Sequence, residues 1–88
     1  ELRIVSFSDG AALLAWSVVE EADAYVLMGI RYDNRGQPVT SFMKEFAGQT
    51  GWVDAQGLQT RVRVTAVSFE PSARSKASNE VELPAEED

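Results

Sequence analysis

Residues 11–30, AALLAWSVVEEADAYVLMGI, place two apolar runs on either side of a short acidic break. The first run ends on Trp16, and the second opens on Tyr25 and alternates Tyr25, Leu27 and Gly29 against Val26, Met28 and Ile30. Period-two alternation over such a span belongs to strands. The break, Val18 to Ala24, is too short for a stable helix but long enough to carry the chain from one strand to the next. The rest of the chain then reads as strands added to this pair.

In chain order, Leu2 to Phe7 forms a first strand stopped by the turn signal Ser8-Asp9-Gly10. Ala11 to Ser17 is the second and Ala24 to Tyr32 the third, closed by a hairpin turn at Asp33-Asn34-Arg35-Gly36. Gln37 to Phe46 is the fourth, with Pro38 where a missing amide donor is tolerated at an edge. Trp52-Val53-Asp54 is a short fifth. In the sixth, Thr60 to Ala66, Val62, Val64 and Ala66 share one face while Arg61, Arg63 and Thr65 share the other. Glu70 to Lys76 reads as a polar loop, and Ala77 to Leu83 as the last strand, stopped by Pro84.

Seven short strands without a helix predict a two-sheet antiparallel β-sandwich. Residues 1–84 form the domain, and 85–88 read as an acidic linker or tail.

Composition narrows function mainly by exclusion. The 88 residues contain neither cysteine nor histidine, which removes disulfides, thiol nucleophiles and the usual zinc ligands. Ser6, Ser8 and Ser41 have no histidine to activate them. Asp9, Asp23, Asp33 and Asp54 lack the spacing of a calcium loop, and no glycine-rich phosphate loop is present. No catalytic residue, cofactor or metal is expected. A net charge of −6 disfavours nucleic acid and anionic membranes. No apolar run approaches the roughly 20 residues of a membrane helix. The missing initiator methionine reads as an excised module or a processed product.

Three stretches together resemble a fibronectin type III domain. Leu14 and Trp16 are followed by Ala22-Asp23-Ala24-Tyr25 and Leu27; Val62, Val64 and Ala66 look like that family's sixth strand; and Ser75, Ser78, Asn79, Val81 and Leu83 resemble its final loop and strand. There are departures. The family's sixth strand usually carries a tyrosine whose hydroxyl ties the preceding corner to the backbone, and here Thr60 or Val62 stands in its place. The adhesive Arg-Gly-Asp tripeptide is absent, Arg35-Gly36-Gln37 being the nearest sequence. The resemblance implies a sandwich whose first, second and fifth strands face the third, fourth, sixth and seventh, and an immunoglobulin-like accessory module: a spacer or protein-interaction domain of a larger, secreted or surface-exposed, bacterial-style protein. Flanking domains of the same chain are then its first partners, and the isolated domain is a monomer.

Two places invite a ligand. Outward-facing Val26, Met28 and Ile30, joined by Phe42 and by Val67 and Phe69, would form an apolar face suited to a protein partner or to self-association. Alternatively, the stems of Arg61, Arg63 and Lys44 cover it. Trp52, between glycine-bearing turns, is the candidate contact for a carbohydrate, with Tyr32 or Phe46 completing a stacking platform. Trp16 and Tyr25 are assigned to the core, each burying roughly 150–250 Å².

Overall fold

The computed structural model describes residues 1–69, 72–74 and 78–85. All regular structure among them is β, in two antiparallel sheets. The smaller sheet has the order β1 (Arg3–Ser8), β2 (Ala11–Ala15), β5 (Thr50–Asp54). The larger is built from β4 (Pro38–Phe46), β3 (Ala24–Tyr32) and β6 (Gln59–Phe69), in that order, and β6 then pairs with both β7 (Ser72–Arg74) and β8 (Val81–Leu83). The expected sandwich and its division of strands are therefore present.

The seventh strand position is occupied by two pieces. β7 pairs with Val67 to Phe69, and β8 with Thr60 to Val62. Between them Ser78 stands in for the ladder, its amide donating to Val64 O at 2.8 Å and its hydroxyl accepting from Val64 N at 3.0 Å. β7 falls within the stretch read as a polar loop, and the final strand starts at Val81 rather than Ala77. Glu70, Pro71, 75–77 and the acidic end 86–88 lie outside the described residues.

Local chemistry sets the turns. Asp9 and Gly10 both have positive φ, 53° and 77°, as a two-residue type I′ hairpin requires, and this twist matches that of β1 and β2. At the β3–β4 turn, Asp33 Oδ1 accepts from Arg35 N at 2.8 Å and Gln37 N at 3.0 Å. The β5–β6 corner is closed by Leu58 N donating to Ala55 O at 2.9 Å and by the fully buried Thr60, whose hydroxyl donates to Leu58 O at 2.9 Å. Thr60 thus ties this corner to the backbone.

The core lies between the sheets. Leu14 and Val53 come from the small sheet, Leu27, Val62 and Leu83 from the large one, and all five are fully buried. Each contributes roughly 1.5–3 kcal/mol of apolar burial. Trp16 and Tyr25 are each 3% exposed, with ring centroids 5.7 Å apart. Phe46 packs on Trp16 at 6.0 Å. The Tyr25 hydroxyl accepts from Val19 N at 3.1 Å, and Asp23 Oδ2 from Phe69 N at 2.6 Å, which pins the β2–β3 loop over one end of the sandwich.

β1 starts at that end, where the Glu1 ammonium donates to Ser17 Oγ. β8 finishes at the other, Leu83 lying opposite Thr60 beside the Asp9–Gly10 and Gln56–Leu58 turns. The molecule is 46 Å along its longest axis. One side-chain tie joins the start of β1 to the residue before Glu80: Asn79 donates to Leu2 O at 3.0 Å and accepts from Leu2 N at 2.9 Å.

Candidate functional site

The outward face of the large sheet is assembled by cross-strand pairing. On β3 it carries Ala24, Val26, Met28 and Ile30. Their partners on β6 are Val67, Thr65, Arg63 and Arg61, and from Val26 onward their partners on β4 are Glu45, Met43 and Ser41. This face divides into two halves.

In the half nearer the β2–β3 loop, Ala24, Val26 and Val67 form a small buried cluster at 3%, 8% and 8% exposure, with Thr65 buried beside them. Val26 and Val67 are therefore satisfied within the monomer, and the expected apolar face does not extend to them. Phe69, at the end of β6, is exposed.

In the other half Met28 and Ile30 are only partly covered, and Met43 is 62% exposed. A groove of about 470 Å³ runs here between Met43 and Ser41 on one side and Arg61 and Arg63 on the other. Arg61 is held by Glu80 at 3.8 Å and Glu82 at 3.5 Å and lies 5.4 Å from the Tyr32 ring. The Arg63 guanidinium makes no ion pair or hydrogen bond among the described residues.

Phe42 is not on this face. It points inward, its ring seated over Gly29 and against the main core, with the Arg31 guanidinium 4.5 Å from its centroid. A bulge is the cause. Tyr32 pairs with Pro38 but Arg31 with Thr40, leaving Val39 unpaired. Without that extra residue Phe42 would sit opposite Met28, and a one-residue slip exchanges the faces of a whole strand. The same bulge brings out Met43, which sequence reasoning missed. The signal was the alternation of Ser41, Met43 and Glu45 against Phe42, Lys44 and Phe46, whose direction the turn alone did not determine.

Lys44 likewise does not cover the outer face. It lies on the inward side of β4, and its Nζ sits 3.6 Å from the centroid of Trp52 across the open flank between the sheets. On the same flank Arg31 donates to Asp54 O through Nε at 3.0 Å and Nη2 at 2.6 Å. Trp52 is 54% exposed and pairs with the half-exposed Leu13 on the outside of the small sheet. Its proposed companions are elsewhere: Phe46 packs into the core, and Tyr32 lies against Arg61 on the far sheet. No aromatic row is formed, and one ring face of Trp52 is taken by an ammonium group.

Among the described residues no group of acidic side chains is gathered as a metal site would require, and no helix is long and apolar enough to cross a membrane. No protein-family model matches the sequence, and no match is found among curated proteins.

Proposed function

We propose that the chain is a fibronectin type III-like, non-catalytic spacer module that holds flanking segments of its polypeptide apart. The observation that carries this reading is the placement of the terminal strands. The chain enters β1 beside Ser17 and leaves β8 at the Thr60 corner, so the two points of attachment sit at different levels of the sandwich and face opposite ways along its strands. Both terminal strands are anchored, β1 by five registered pairs to β2 and β8 by three to β6. The division into β1-β2-β5 and β4-β3-β6, the buried Trp16–Tyr25 pair and the hydroxyl-tied corner at Thr60 support the family reading. A secreted or cell-surface setting goes with it. The carbohydrate alternative retains Trp52 alone.

The test uses the absence of cysteine. Arg3→Cys and Glu82→Cys, both at exposed strand positions, accept spin labels without competing thiols. A spacer gives one narrow distance distribution and a monomeric sedimentation coefficient from dilute to concentrated solution. A broad distribution, or a mass that rises with concentration, would overturn the reading.

A further inference from the structure

We propose that the groove between β4 and β6 binds an extended peptide segment of a partner protein, one that carries an apolar side chain flanked by carboxylates. This goes beyond the spacer role, which needs no ligand.

The apolar part of the argument is the composition of the floor and edge. Met28 and Met43 are the only methionines in the chain, and they stand directly opposite one another at the groove, with Ile30 beside them. Methionine adapts its shape to the side chain placed against it, and solvent-facing methionines on a strand are otherwise unfavourable. Met43 at 62% exposure is left bare by its own fold.

The charge part rests on Arg63. Two guanidinium groups, Arg61 and Arg63, line the groove with the carboxylate of Glu80, and Glu82 adds a second carboxylate beside Arg61. Arg61 is already engaged by Glu80 and Glu82, whereas Arg63 is unpaired among the described residues. A carboxylate arriving beside the methionines would meet Arg63, and complementary charge at the rim would steer it there. Nucleic acid is repelled by the body of the molecule. A second copy brings another body of charge −6. The site opens along a sheet face, and a small molecule there would remain too exposed for tight binding. A peptide gains contacts along its length instead.

The two methionines also supply the assay. Protein labelled with ¹³C at the methionine methyls gives two resonances, both at the groove. The probes are three capped peptides: Glu-Leu-Glu-Phe-Glu, Lys-Leu-Lys-Phe-Lys and Glu-Ser-Glu-Ser-Glu. Only the first should shift both methyl signals saturably. Arg63→Glu, at an exposed position that leaves the core intact, should weaken that binding about tenfold, the loss of one charge-assisted contact. Three results would overturn the proposal: no saturable shift with the first peptide, an equal response to the lysine peptide, or methyl shifts that appear with protein concentration alone. The last would make a second copy the occupant.

Discussion

Thr60 shows how much one hydroxyl can decide. It is completely buried among apolar neighbours, and simple hydrophobic counting would favour valine there. The hydroxyl, however, donates to Leu58 O and so ties the start of β6 to the turn before it. Thr60→Val keeps the shape and strands the carbonyl, so we expect a loss of about 1–2 kcal/mol in urea denaturation. A gain in stability would show that the corner does not depend on this bond. The residues that carry the core were legible in the sequence: Leu14, Trp16, Tyr25, Leu27, Val62 and Val64 all follow the period of a half-buried strand, and all are buried. The partners of Thr60 were not legible, because a side chain that bonds the backbone two residues away leaves no periodic signature.

At the scale of the element, the β3–β4 hairpin governs the candidate site. Its strands were readable nearly to the residue, and its register was not. Val39 bulges out, and that single extra residue turns Phe42 inward and Met43 outward. Whether a turn of four residues is followed by a bulge depends on how the two strands pack on the rest of the sheet, not on the turn alone. The inward position of Phe42 has a testable cost. Its ring occupies the space where a β-carbon on Gly29 would be. Replacing a strand glycine with alanine ordinarily relieves backbone entropy; Gly29→Ala should instead destabilise by about 1–3 kcal/mol. Phe42→Leu in the same chain should recover part of the loss, and a double-mutant cycle measures the coupling. Strictly additive effects would mean that the two positions do not touch.

For the whole molecule, the sheets are held together by apolar burial through the middle and by a few polar ties at the margins. The Asn79–Leu2 pair is one of these, with two hydrogen bonds spanning 77 residues of sequence. Asn79→Ala should cost about 1–3 kcal/mol in global stability. It should also raise amide exchange at Leu2 more than at Leu14, whose environment is closed on all sides. Uniform acceleration of exchange would show that the tie is not local. The allocation of strands to sheets was legible through the resemblance to a fibronectin type III domain, and the structure has that division. The split of the last strand position was not, since Ser78 replaces a ladder bond with its own hydroxyl.

The opposite directions in which the chain enters β1 and leaves β8 carry a mechanical consequence. A pull applied between the two ends runs along the strands, so it loads the β1–β2 and β6–β8 ladders in shear rather than unzipping them one bond at a time. The two grips are unequal: β8 holds by three pairs, and β1 by five plus the amide of Asn79. Under tension the C-terminal grip should therefore yield first, releasing a short length of chain while the remaining sandwich stays clasped.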